Sequence, residues 1–267
     1  MSKKRKKQNN IIKINVPAKR NPILIKAQEE INKNTEIKTL WKVINVNAMD
    51  RLKMTDHGPI HFQIVANIAL KITRMLKKAG IPLSITKDYD LKQDHGELVI
   101  FLASILHDLG MSISRHGHEE FSLFLANNLL RELLDFLPAE EKTIVISETL
   151  HAIISHRKGG EPLTLEAAIV RVADALDISE GRSRLPYEEG NVDIHSLSAM
   201  AIDKIEIKDG AKKPVYIKIT MNNSAGLFQV DELLKSKIKG SGLEKYISVK
   251  AYIERGTEKS LIKKFSI

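Results

Sequence analysis

Apolar positions recur at helical spacing through most of the chain and switch to alternation only near its C-terminus. From His61, the residues Val65, Ile68 and Ile72 follow at offsets of four, seven and eleven, so all four share one face of a helix that runs to Lys78 and stops at Gly80-Ile81-Pro82. His61 thus opens an inward stripe. Two short helices are expected between Ile23 and Met54, with Trp41 as a packing anchor. The polar stretch from Lys87 to Gly96 reads as a loop ahead of an apolar helix from Glu97 to His107. Further helices are expected from about Glu119 to Leu137, ahead of Pro138, and from Ala139 to His156, followed by a turn at Gly159, Gly160 and Pro162. Thr164 is positioned to cap a helix through Leu176, whose stripe Ala167, Val170, Asp174 and Asp177 carries two carboxylates among apolar residues.

From Ile202 the period becomes two. Ile202 to Ile207 and Val215 to Ile219 alternate with charged residues and flank Lys208-Asp209-Gly210-Ala211, the pattern of a hairpin. A short helix from Leu227 to Ile238 and strands from Tyr246 to Ile253 and Leu261 to Ile267 complete the pattern. The expected fold is mainly α: a helical bundle over residues 21–197 with a small C-terminal α+β appendage, ββαββ, over residues 198–267.

Composition narrows the chemistry. The 267 residues are enough to bury a core, and the absence of cysteine removes disulfides, thiolate zinc sites and cysteine nucleophiles together. No apolar stretch approaches twenty residues and the N-terminus lacks a signal-peptide pattern, so a soluble, cytoplasmic protein without a membrane partner is expected. The net charge of +9 is uneven: residues 1–20 hold eight basic side chains and no acid, residues 21–200 carry 20 basic against 25 acidic, and residues 201–267 carry 14 against 8. Residues 1–20 are expected to be a basic disordered arm, because MSKKRKKQNN has nothing to bury. Basic ends around an acidic middle suggest RNA or a ribosome as a partner. Homo-oligomerisation is left open.

The chemical signal is His107-Asp108, at the end of the apolar run Leu98 to Leu106. A carboxylate and an imidazole buried there need their charge compensated, by a divalent cation, an ion pair or a helix cap. Eight of the nine histidines lie between His57 and His156, over the expected helices, which favours a site built from facing helices. Adjacent helical residues point about 100° apart, so His107 and Asp108 converge on one site only at a helix end, where Leu109-Gly110 lets the chain turn.

His61, His107-Asp108 and Asp174 resemble the H…HD…D pattern of the HD superfamily of metal-dependent phosphohydrolases. The likeness covers roughly residues 55–185 through four segments: Ile105 to Met111, Gly117 to Ser122, Ala152 to His156 and Ala173 to Leu176. Ala152 to Leu176 is similar to the HD domain of the bacterial endoribonuclease Y family. His107 to Ala126, Arg171 to Ser179 and the β-rich tail resemble the exopolyphosphatase and guanosine pentaphosphatase family. The resemblance implies metal ligation by His61, His107, Asp108 and Asp174, with Asp108 able to bridge two ions, and a second metal or a phosphate contact at His118 and His156. Asp108, His118 and His156 are thereby the expected catalytic residues. The chain departs from the pattern at Met111, where many members have Lys. One or two divalent ions are implied, and the mixed imidazole and carboxylate set suits Mn, Fe, Co, Ni, Zn or Mg.

Other residues carry weaker signals. His57 either orients His61 or touches substrate, or else belongs to an ordinary capping loop. His151 is poorly spaced to share an ion with His156 and is expected to be structural or supporting. Asp177 either supports Asp174 or caps its helix. Arg157, Lys158 and Arg182, with Arg184, are candidate phosphate contacts. His95, His116 and His195 are expected to have no catalytic role. The expected activity is hydrolysis of a nucleotide phosphodiester, a cyclic nucleotide or an RNA end, by metal-bound hydroxide. Two alternatives are phosphoanhydride hydrolysis of a nucleotide or polyphosphate, and an RNA- or ribosome-binding adaptor that keeps the bundle as a scaffold.

Overall fold

A computed structural model describes residues 13–157, 159–178, 198, 200–253 and 264–266. The chain opens on a short extended stretch in which Ile14, Val16 and Ala18 are buried while the residues between them face outward. Asn32 clamps Ile14 through both backbone groups at 2.8 Å, and the Gln28 side chain accepts from the Val16 N–H at 2.8 Å. The stretch from 13 to 20 is therefore packed rather than part of a free arm. Its alternation outweighs its charge, because three apolar side chains reach the core while Lys13, Lys19 and Arg20 stay in water. Residues 1–12 lie outside the described residues.

Helix α1 (Pro22–Lys33) starts where Asn21 accepts from the Leu24 N–H, with proline in the first turn. Helix α2 (Thr35–Asn45) is capped in the same way by Asn34 and runs on into a π-helical turn at Val46–Arg51. Trp41 is buried against Phe62, ring centroids 6.1 Å apart. Then come α3 (Pro59–Lys78), α4 (Ser84–Tyr89), α5 (Gln93–Leu106), a 3₁₀ turn (Leu109–Ser112), α6 (His118–Leu133), α7 (Ala139–Ser155) and α8 (Leu165–Ala175). Thr164 caps α8 by accepting from the Ala167 N–H.

Helix α5 is the axle of the bundle. Every residue from His95 to Leu106 is buried, and α1, α3, α7 and α8 pack around it, so it is apolar on all sides instead of along one stripe. The expected loop at 87–96 is instead the end of α4 and the first turn of α5. Lys87, Asp88, Asp90 and Lys92 are exposed, but at the start of α5 His95 is buried and meets Glu141 at 2.8 Å, the Asn21 amide donates to the Asp94 carbonyl, and the next polar residue, Glu97, is gripped by Arg74 with two hydrogen bonds of 3.1 and 2.9 Å. Polarity alone mimicked a loop.

The C-terminal unit forms a four-stranded sheet in the order β1-β2-β3-β4: β1 (Ile202–Asp209), β2 (Val215–Met221), β3 (Ile247–Ile253) and β4 (Lys264–Ser266). The hairpin β1–β2 is antiparallel, β2–β3 is parallel and β3–β4 is antiparallel. The parallel pair requires a crossover. It is made by three consecutive helical pieces, Gly226–Phe228, Gln229–Lys235 and Ser236–Ile238, together α9. Val215, Ile217 and Ile219 of β2 and Ile247, Val249 and Ala251 of β3 form a buried face, and Val230, Leu234 and Ile238 of α9 are buried with them in the core. The fold is mainly α with a small α+β appendage. No described helix is long and apolar enough to cross a membrane.

Candidate metal centre

The centre forms where five helices end or begin. His61 lies in the first turn of α3, His107 directly follows α5, His118 opens α6 and His156 directly follows α7, while Asp174 lies in the last turn of α8. Helix ends serve this purpose because consecutive residues can diverge from the helical 100° rotation there. His107 keeps helical dihedrals but Asp108, at φ −102° and ψ 12°, does not, and so both side chains turn into one site.

Gly110 makes the layer close-packed. A Cβ there would lie 2.0 Å from the His118 carbonyl oxygen and 2.7 Å from the Ser122 nitrogen. The Gly110 N–H donates to Ser122 Oγ at 2.8 Å, locking the 3₁₀ turn against the start of α6. Gly110 lies within the turn expected there and also permits this close approach. From the other side, the Asn47 amide donates to the carbonyls of Met111 and Ser112 at 2.9 and 3.1 Å. Met111 is buried, with its sulfur 3.9 Å from the Arg115 guanidinium.

Each imidazole is oriented through Nδ1. His107 donates to the Ser104 carbonyl at 3.0 Å, His118 to the Arg115 carbonyl at 3.0 Å, His156 to the Ile153 carbonyl at 2.6 Å, and His61 to Asp177 Oδ2 at 2.7 Å. Carbonyls and carboxylates can only accept, so Nδ1 carries the proton and Nε2 of a neutral ring presents a lone pair inward. The two oxygens of Asp108 divide these lone pairs. Oδ2 faces His61 and His107 at 3.8 and 3.7 Å, and Oδ1 faces His118 and His156 at 3.1 and 3.6 Å. Asp174 Oδ1 closes the first half, 3.5 Å from His61 and 3.8 Å from His107.

The donor set fits a divalent cation. His61 Nε2 and His107 Nε2 are 3.1 Å apart, so two lone pairs face each other at close range. Without a cation that arrangement is repulsive. Two nitrogens sharing one ion at roughly 2.0–2.1 Å come about this close to each other. Ligand atoms of His61, His107 and Asp174 converge within 4.8 Å, as do those of His107, Asp108 and His156, and those of His118, Glu119 and His156.

Burial pushes His107 down to about 3, against the pull of Asp108 and Asp174, so its ring is neutral near pH 7. Burial would raise Asp108, but the surrounding imidazoles, His107 first and then His118 and His156, hold it well below the usual carboxylate range. Asp174 is likewise lowered: burial opposes the shift, and the Lys237 ammonium and the imidazoles win. At His118 burial works downward, yet the Asp108 carboxylate raises it.

The structure thus brings together all six expected ligands, His61, His107, Asp108, His118, His156 and Asp174. The Asp177 carboxylate supports His61, while its backbone N–H donates to the Asp174 carbonyl at 3.1 Å; its place on the inward stripe was the available signal. His57 borders the site, its ring 5.8 Å from that of His61 and its Nδ1 donating to the Thr55 carbonyl, while Asp56 accepts from the N–H groups of Gly58 and His61 at the start of α3. His151 Nε2 accepts from the Leu163 N–H at 2.9 Å and pins the α7–α8 loop. Arg157 is exposed and paired with Glu120 at 2.7 Å, and His116 is exposed. Lys158, Arg182, Arg184 and His195 lie outside the described residues.

Two further residues, neither singled out as a site residue from the sequence, border the centre. Lys237 of α9 donates to the His156 carbonyl and lies 3.5 Å from Asp174 Oδ2. Arg171 of α8, also buried, donates to the carbonyls of Ser155, Gly160 and, at 3.5 Å, Ser236, next to Lys237.

Comparison with known proteins agrees with this geometry. The family model described as HD domain matches residues 60–179, a span that contains all six of these histidine and aspartate side chains. An uncharacterized protein of Methanocaldococcus jannaschii is 40% identical over 240 residues, covering 90% of this chain and 92% of that protein. No solved structure matches the chain.

Proposed function

The chain belongs to the HD-domain family of metal-dependent phosphohydrolases, and from that premise we propose that it hydrolyses a nucleotide phosphodiester. The observation that carries the reading is the division of Asp108 between two imidazole pairs, with one oxygen toward each. His61, His107, Asp108 and Asp174 would hold one divalent ion, and Asp108, His118 and His156 would hold a second or grip the phosphate. Bound there, Mn, Fe, Co, Ni, Zn or Mg offsets phosphate charge and activates water. The protein's own contribution is orientation: backbone carbonyls and Asp177 fix the rings, and the buried layer keeps His107 neutral and Asp108 ionised.

An RNA end is favoured over a cyclic nucleotide by a second feature. Lys19, Arg20, Arg74, Lys77 and Lys78, with Asp94 and Glu97, line a groove of about 1080 Å³. It lies roughly 20–25 Å from His61 along α3, at about 1.5 Å per residue. A polyanion can reach both places, whereas a mononucleotide cannot. The basic residues of 1–10, Lys3 to Lys7 among them, and Arg157, Lys158 and Arg182 are further candidate phosphate contacts.

The test is a matrix of purified protein against the six metals and three substrates: a 2′,3′-cyclic-ended RNA, a cyclic mononucleotide and a nucleoside triphosphate. Diester cleavage with an added metal supports the proposal. Release of orthophosphate from the triphosphate alone replaces it with phosphoanhydride hydrolysis, and inactivity on all three together with RNA binding replaces it with the adaptor reading.

A further inference from the structure

The C-terminal unit also reaches the metal centre. Lys237 is 63 residues beyond Asp174 in sequence, and it points into the centre from α9. Its side chain is only 16% exposed, which separates it from solvated lysines such as Lys78, at 73%. The placement is built rather than incidental. Val230, Leu234 and Ile238 of α9 are buried with the sheet face, and Arg171 reaches from α8 to the Ser236 carbonyl immediately before it.

Asp174 is shared in the same way as Asp108. Its Oδ1 faces His61 and His107, while its Oδ2 faces the Lys237 ammonium at 3.5 Å. The ammonium therefore does not occupy the ligand atom that the cation needs. Lys237 has three N–H donors, of which one goes to the His156 carbonyl and a second is directed, at a long distance, toward Asp174. At least one donor is left for a ligand at the centre.

We propose that Lys237 is a phosphate-binding residue: its ammonium contacts a non-bridging oxygen of the phosphate held at the metal centre, so that the C-terminal unit completes the substrate site of the helical domain. This rests on the phosphohydrolase reading above. The chemistry is charge-assisted hydrogen bonding to an oxyanion from a point cation that is already desolvated and held in place. The opposing view is that Lys237 merely ties α9 to α8 through Asp174. Under that view its removal costs stability and leaves phosphate affinity alone.

The experiment uses the full chain loaded with Mn²⁺ and inorganic phosphate as the probe, with titration calorimetry for affinity, elemental analysis for metal content and thermal melting for the fold. Lys237→Gln keeps a donor for the His156 carbonyl and removes the charge; Lys237→Arg keeps the charge. Lys237→Gln should weaken phosphate binding by about 10- to 100-fold with metal content unchanged, and Lys237→Arg should recover most of that loss. Phosphate affinity within about twofold of wild type in Lys237→Gln, or loss of phosphate binding in both variants alongside equal loss of melting temperature, overturns the assignment. If the metal-loaded wild type does not bind phosphate, the phosphohydrolase reading fails and this assignment with it. A wild type that binds phosphate beside a Lys237→Gln variant that binds equally well removes only the lysine.

Discussion

The helical domain and the C-terminal unit solve the problem of polar side chains in opposite ways. In the C-terminal sheet, polar groups stay on the outer face: Glu206 pairs with Lys204 and Lys208, and Lys218 and Lys250 lie over the rings of Tyr252 and Tyr216. Water can reach that face, and no compensating ion is needed. The helical domain instead draws four imidazoles and two carboxylates inward at the ends of its helices, where only oriented partners and a cation make burial tolerable. The difference teaches that chemistry here is concentrated where burial is most costly. Variants in the two settings should consequently differ by orders of magnitude.

The sharpest test of that contrast is Asp108→Ala. It removes the carboxylate shared by both imidazole pairs and should abolish metal binding and hydrolysis while the helical circular dichroism signal persists. Full metal occupancy with normal turnover in this variant would refute the assignment of the centre. His118→Ala and His156→Ala should each lower turnover more than stability, and wild-type kinetics in both would return them to structural roles.

Acidification probes the same layer without mutation. His107 titrates at about 3 in the folded chain against an ordinary 6.5, so between these values the unfolded state binds more protons. Stability from this group is fully present above pH 6.5 and is lost as pH falls toward 3, by an amount on the order of a few kcal/mol. Melting curves of metal-stripped protein should follow that slope, and His107→Asn should flatten it. An unchanged slope in the variant would move the cause elsewhere.

Gly110→Ala tests close packing in place of charge. The added methyl meets the His118 carbonyl at 2.0 Å, and a loss of about 1–3 kcal/mol in urea denaturation is expected. Asp177→Asn keeps the shape beside His61 but weakens the acceptor that orients it, so metal affinity should fall by about 10- to 100-fold with little change in melting temperature. The smallest effect belongs to the exposed pair Arg157–Glu120, with side chains 46% and 53% exposed. Arg157→Ala should cost between 0 and about 1 kcal/mol of stability by equilibrium unfolding. A larger loss would show that the rim of the centre is as tightly coupled as its interior.

Much of this was legible before any coordinates. Helical periodicity from His61, the Thr164 cap and the alternation after Ile202 each express a local rule: residues a fixed number of positions apart share a face. His107-Asp108 after an apolar run was legible for a related reason, since a charged pair at the end of a buried helix demands compensation. The 87–96 stretch differs from the expected loop because its exposed polar residues occupy the end of α4 and the turn before α5, while His95 finds its partner Glu141 on another helix, and a single segment does not reveal its partners.

Sequence by itself indicated most of the helices and strands, their order and the mainly α class with its small appendage, and its family resemblance pointed to the six side chains that the structure brings together. Only the tertiary structure decided how those side chains divide: that Asp108 spans two imidazole pairs, that Asp177 serves His61 across 116 positions, that Gly110 is fixed by the backbone of α6, and that Lys237 enters from another unit. Periodicity is a property of neighbouring residues and survives in the bare string. Contacts between distant residues depend on how whole helices pack, and that is set by the summed burial of many side chains rather than by the residues that finally meet.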